Sequence, residues 1–152
     1  MKRILIILLT LLCICPVIAQ NTLNDKADNI VGTYSGKQGN DKFKVKIVKL
    51  KDGTYRGQVI WMEHDRDAKG NKLLDTKNPD KSLRSTPSDR TVIFSGLKYD
   101  SKKRCWGDTK IYDPQRGIKV NMTAEFMADG RLRIKGKVLG IGESVYWTRE
   151  TD

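Results

Sequence analysis

In the second half of the chain apolar residues recur at every second position, in short runs cut by turn residues. Ile118, Val120, Met122, Ala124 and Phe126 alternate with polar or charged neighbours. After the turn Asp129-Gly130, Leu132, Ile134, Gly136 and Val138 interleave with Arg131, Arg133, Lys135 and Lys137. A period of two puts one set of side chains on a buried sheet face and the other in solvent. The same pattern runs earlier through Phe43, Val45 and Ile47, set against Lys44 and Lys46. Asp52-Gly53 then marks a hairpin, and Tyr55, Gly57, Val59 and Trp61 share one face of the next strand. Thr91–Leu97 and Cys105–Tyr112 continue the series, and Asp113-Pro114-Gln115-Arg116-Gly117 turns the chain again. A last strand carries Val145, Trp147 and Arg149 on one face. With Ile30–Tyr34 counted first, the reading is eight strands in meander order, preceded by a polar leader or short helical turn at Asn21–Asn29. Short, evenly spaced strands predict a sandwich or a barrel. Neighbour-to-neighbour connectivity favours an all-β, eight-stranded antiparallel up-and-down barrel, because closure removes exposed edges.

The N-terminal residues follow a different rule. Lys2 and Arg3 precede an apolar stretch, Ile4 to Ile18, which ends in Val17-Ile18-Ala19. A basic n-region, a short apolar core and a small residue at the cut read as a secretory signal peptide over residues 1–19. A spanning helix needs roughly 20 apolar residues, more than this stretch supplies. Neither Cys13 nor Cys15 follows the small residue that lipoprotein processing requires. The expected mature protein, residues 20–152, is a single domain in the periplasm or outside the cell. Cleavage removes two cations, so the net charge of +11 becomes +9. It also leaves Cys105 as the only thiol, so an ordinary core must hold the fold. A 150-residue domain buries roughly 68–70% of its unfolded surface, which suffices. Cys105 reads as a small packing residue.

The exception to the strand pattern is residues 63–90, charged and without a period. Loops beyond about 12–15 residues are usually functional or disordered. Pro79 and Pro87 fix backbone angles and imply a defined path. A lid over one barrel mouth and a crossover packed on the barrel fit equally well.

Ile30-Val31-Gly32-Thr33-Tyr34, then Asn78-Pro79-Asp80-x-x-Leu83-Arg84, then Ile111-Tyr112-Asp113-Pro114-x-x-Gly117, and finally Trp147-Thr148-Arg149 occur in that order. Their order and spacing resemble a bacterial exported family, domain of unknown function 2147, over essentially the whole mature chain. The resemblance implies a lipocalin-like eight-stranded barrel and an exported protein. It implies no reaction. Tyr34 stands where family members usually carry Trp, and Thr86 stands where a second Arg usually precedes the loop proline.

Other constellations point less far. Asp65-x-Asp67-x-Lys69-Gly70 echoes the start of a calcium loop, but Lys69 and Thr76 stand where oxygen ligands belong. One His, His64, and one distant Cys make no zinc set. No metal or other cofactor is called for. Glu63, Asp65, Asp67, Asp75, Asp80 and Asp89 are mixed with cations in the loop, and their spacing places no pair across a scissile bond. An enzyme is therefore not the expected reading. On strand parity Lys44, Lys46, Lys119, Arg131, Arg133, Lys135 and Lys137 face outward, a surface that attracts anions. Export and the lack of a nucleic-acid module favour anionic envelope lipids or polymers over nucleic acid. The same parity turns Tyr34, Phe43, Tyr55, Trp61, Phe126 and Trp147 inward. Eight strands allow either a packed interior or room for one small ligand.

Two functions follow. One is an envelope protein, acting as a monomer, that binds a small apolar or amphipathic ligand in the barrel. Its expected ligand-binding residues are Tyr34, Tyr55, Trp61 and Trp147 in the barrel and Asn78, Asp80 and Arg84 in the loop. Arg84 is expected to anchor that loop, with Asp80 or Asn78 satisfying its neighbours. The other is a filled barrel whose basic outer face contacts anionic envelope components. A cavity of roughly 300 Å³ or more favours the first.

Overall fold

Each of eight antiparallel strands pairs with the next in sequence, and β8 returns to β1 to close a barrel. The computed structural model describes residues 21–138 and 141–151, so the expected leader, with Cys13 and Cys15, lies outside the described residues. The strands are β1 (Gly32–Gln38), β2 (Asp41–Lys49), β3 (Tyr55–Met62), β4 (Val92–Asp100), β5 (Cys105–Asp113), β6 (Ile118–Phe126), β7 (Leu132–Val138) and β8 (Ile141–Arg149). This is the architecture the alternation predicts, with β6 and β7 starting and ending where the pattern does. The first strand begins two residues later than expected. Ala27–Ile30 forms a 3-10 helix instead, and a second one at Thr22–Asn24 precedes it.

Inward residues make one continuous core that includes Ile30, Tyr34, Val45, Ile47, Leu97 and Trp106. The pairing register shifts once between β2 and β3, twice between β3 and β4 and once between β5 and β6, which bends the wall and changes which residues face in. On β3, Val59 pairs with Val45 while Trp61 pairs with Lys44, so Ile60 is an extra residue. An inserted residue moves everything beyond it to the other face. Strict alternation therefore places Trp61 wrongly: it is 42% exposed and stands beside Lys44 on the outer surface, while Met62 turns inward opposite Phe43. On β4 the register advances three residues from Phe94 to Leu97 against two on β3. Gly96 takes up the excess at φ +72°, where a Cβ is strained. On β5 Asp108, at φ 61°, does the same and pairs with Lys98 outside.

Residues 63–90 are ordered by short local contacts. Arg66 bridges to Lys72 and Leu74 to Pro87, and Lys81–Leu83 and Ser88–Arg90 are 3-10 turns. The calcium-like stretch closes on itself: the Asp67 carboxylate accepts from the Lys69 and Asn71 amides, and Asp65 pairs with Lys72.

Candidate functional site

One end of the barrel is sealed by the N-terminal segment. Trp106 Nε1 donates to the Ala27 carbonyl at 3.0 Å, and the Tyr99 hydroxyl donates to Asn24 O at 2.6 Å. Asn24 and Asn21 donate to the Phe126 carbonyl, and Asn24 Oδ1 accepts from the Phe126 amide. Arg149, at the end of β8, locks this plug. Its guanidinium lies 5.0 Å over the Tyr34 ring and 5.6 Å over Phe126. It donates to the Val31 and Asn29 carbonyls and to the Tyr34 hydroxyl, which in turn donates to Ile30 O at 2.9 Å. Burial pushes the Tyr34 hydroxyl up to about 12, against the lowering pull of Arg149. Tyr55 is buried at the same end and donates to Asp28 at 2.6 Å; burial, then that carboxylate, raises its hydroxyl. Tyr34 and Tyr55 thus spend their polar tips on the plug, and a ligand at this end meets no free group on either.

The opposite end is differently built. Gln38, ending β1, donates to Asp113, ending β5 on the far side of the barrel, at 3.3 Å. The opening lies in the wall. Among the described residues, β1 and β8 pair at Tyr34–Arg149 and Ser35–Thr148, and beyond Ser35 the register stops. A groove of about 740 Å³ follows this parted seam. Gly36, Phe43 and Val145 line it from the inward faces of their strands, and Lys37, Lys42, Lys44, Trp61 and Tyr146 line it from the outside. A Cβ on Gly36 would stand 2.7 Å from both Phe43 Cζ and Trp147 Cδ1, so only glycine lets these two rings meet over the strand. Phe43 and Trp147 are edge to face at 6.0 Å. Trp147 is 2% exposed, yet its Nε1 has no hydrogen-bond partner. A buried donor left unpaired costs about 1–3 kcal/mol.

The sequence-predicted loop residues lie elsewhere. Tyr112 stands opposite Lys119, on the side of β5 and β6 away from Val120 and Met122. It is nonetheless buried, because the 63–90 segment covers it. Its hydroxyl donates to Asp75 Oδ1 at 2.6 Å, while Asn78 Nδ2 donates to Asp75 Oδ2 at 2.7 Å and Thr91 to the same oxygen at 3.5 Å. Burial first, and then Asp75, raise the Tyr112 hydroxyl. Lys77 reaches the β5–β6 turn at Gln115 O. The segment is thus a crossover latched to the outer wall, and of the two readings the lid does not hold. Arg84 is exposed and donates to Asn78 O at 2.8 Å. It makes no pair with Asp80, whose carboxylate instead caps the 3-10 turn at Ser82. The anchor is Asp75, one of six loop acids that the sequence did not rank. Of its partners only Asn78 is near in sequence; Tyr112 and Thr91, whose hydroxyls close on it, are distant.

Trp147 and Trp61 therefore border the same seam, one within the barrel and one outside, while Asn78, Asp80 and Arg84 belong to the latch. The family described as an uncharacterized protein conserved in bacteria, DUF2147, matches residues 32–149, from the first barrel strand to the last. The chain belongs to this family. Among solved structures it is similar to protein HP1028 from the human pathogen Helicobacter pylori, described as belonging to the lipocalin family. The two share 22% identity, over 80% of this chain and 83% of that one, with a TM-score of 0.63. At that identity the likeness shows a shared lipocalin-like fold. No curated protein matches the chain.

Proposed function

We propose that this DUF2147 member is an exported binding protein for a small amphipathic molecule, held along the β1–β8 seam rather than deep in the barrel. The observation that carries the reading is the seam groove itself. It is an open groove in the wall that joins inward apolar surface to lysines. Catalysis is not part of the proposal: His64 lies just after β3, at the end opposite the plug, against Asp41, and Cys105 starts β5 at the plugged end, so neither activates the other. Mass spectrometry of the organic extract of protein purified from its native compartment should return one amphiphile near equimolar amounts. N-terminal sequencing of the same sample should begin at Gln20. An empty extract, together with no change in tryptophan fluorescence on adding amphiphiles, would overturn the reading.

A second reading rests on the outer stripe. Arg131 and Arg133 are neutralised by Asp129 and Glu125. Lys46, Lys119, Lys135 and Lys137 have no carboxylate within 4.0 Å among the described residues. Contact between this face and anionic envelope polymers would appear as salt-sensitive co-sedimentation that survives blocking the seam.

A further inference from the structure

The seam also has a polarity, and this inference rests on the ligand reading above. Its inner side is apolar, with Phe43 and Val145 on the groove and Trp147 behind Gly36. Its outer side carries three lysines, Lys37, Lys42 and Lys44, against the single lining carboxylate Glu150. Lys37 is exposed and has no carboxylate within 4.0 Å among the described residues. Lys42 is 3.7 Å from Glu63, a loose and exposed contact of little strength. Lys44 is placed most tightly: its ammonium is 2.8 Å from Glu150 and 6.0 Å from the centre of the Trp61 ring. Trp61 and Tyr146, both large and half exposed, flank these cations. Exposed aromatic rings cost least where an apolar body meets a polar head.

We infer that the parted seam is a lateral portal for a single-chain anionic amphiphile. The chain enters between β1 and β8 toward Phe43, Val145 and Trp147. The carboxylate or phosphate head stays outside on Lys37, Lys42 and Lys44. Glu150 occupies part of the head's place, because it holds Lys44 as an external anion would. Two features make the side wall the entrance. Gln38 and Asp113 join across the mouth, and the opposite end is filled by the N-terminal plug. The strand edges beyond Ser35 and Thr148 also keep main-chain groups unpaired with each other, which an entering polar head can meet. A neutral head of the same size gains none of the lysine attraction, so the site discriminates by charge.

The test titrates the full-length mature protein, by calorimetry at low salt, with three probes of one chain length below their aggregation limits: palmitate, lysophosphatidylglycerol and neutral monopalmitin. Both anionic probes should bind at least tenfold tighter than monopalmitin, and the gap should shrink in high salt. Whichever anion binds more tightly tells a free carboxylate from a phospholipid head. Lys44→Gln should weaken the anions several-fold and leave monopalmitin unchanged. Glu150→Gln, which frees Lys44, should tighten them, a gain that damaged folding cannot mimic. Val145→Glu should expel the anions preferentially. Equal binding of all three probes, indifferent to Lys44 and Glu150, would overturn the charge inference while leaving the amphiphile reading intact. A tenfold anionic preference that ignores Val145, Lys44 and Glu150 would overturn the seam as the place. Failure of every probe to bind would sink both.

Discussion

Tyr112→Phe isolates the latch that holds residues 63–90 to the barrel. Phenylalanine keeps the ring and its packing and deletes only the hydroxyl that donates to Asp75 Oδ1. Asp75 is 3% exposed and, among the described residues, no cation stands within 4.0 Å of it. Its oxygens are held by hydrogen bonds from Tyr112, Asn78 and Thr91, and one of the two short ones is lost. Hydrogen bonds to charged groups are worth about 1.5–3 kcal/mol, and the deprived oxygen stays buried. The expected loss is about 2 kcal/mol. With a urea slope of roughly 2 kcal/mol/M for a domain of this size, the midpoint should fall by about 1 M. Hydrogen exchange should show where the loss begins. The amides of Asp75, Asn78 and Ser88, which bond within the segment, should exchange faster, while the β6–β7 ladder keeps its protection. The same hydroxyl has a pH signature. Its folded value is raised, so its contribution is complete below about pH 10 and is lost as pH climbs further. An unchanged midpoint and unchanged exchange in the 73–91 region would show that Asp75 does not hold the crossover.

Three other outcomes follow. Trp147→Ala should cost about 3–5 kcal/mol, because it empties a buried aromatic site, whereas Trp61→Ala should stay within about 0.5 kcal/mol; equal urea midpoints for the two variants would mean the bulge at Ile60 is misplaced. Alkaline unfolding should steepen between pH 10 and about 12, where the unfolded chain ionises Tyr34 and the folded one does not. Two units of raised value amount to roughly 2–3 kcal/mol, and Tyr34→Phe should flatten that part of the profile. Arg149→Gln should free the plug, lowering stability by about 2 kcal/mol and speeding exchange at residues 21–31; unaltered exchange there would show that the 3-10 segments hold without the guanidinium.

Most of the barrel was legible in the alternation. Ile118 to Phe126 and Leu132 to Val138 have an unbroken period of two, and their strands begin and end with it. Such a pattern leaves one way to bury the apolar face, and Asp129-Gly130 between them supplies the turn. The motifs from Ile30 to Arg149 marked the family, and two of their residues, Tyr34 and Arg149, meet where the first and last strands close the barrel. Tyr34 in place of the more usual Trp still receives the Arg149 guanidinium on its ring.

What failed was whatever depended on breaks in the period or on distant partners. Parity sends Trp61 inward; one extra residue, Ile60, sends it out, and a bulge leaves no mark in a count of alternate positions. Arg84 drew attention as the cation of a motif, yet Asp75 carries the latch, because its burial depends on Tyr112 and Thr91, far along the chain, as well as on Asn78 beside it. The candidate site shows the same division. Sequence alone determined that aromatics and lysines alternate along two-faced strands. Only the tertiary structure decided that β1 and β8 part after Ser35, where the rings of Phe43 and Trp147 meet over the bare backbone of Gly36 and open one stretch of the wall.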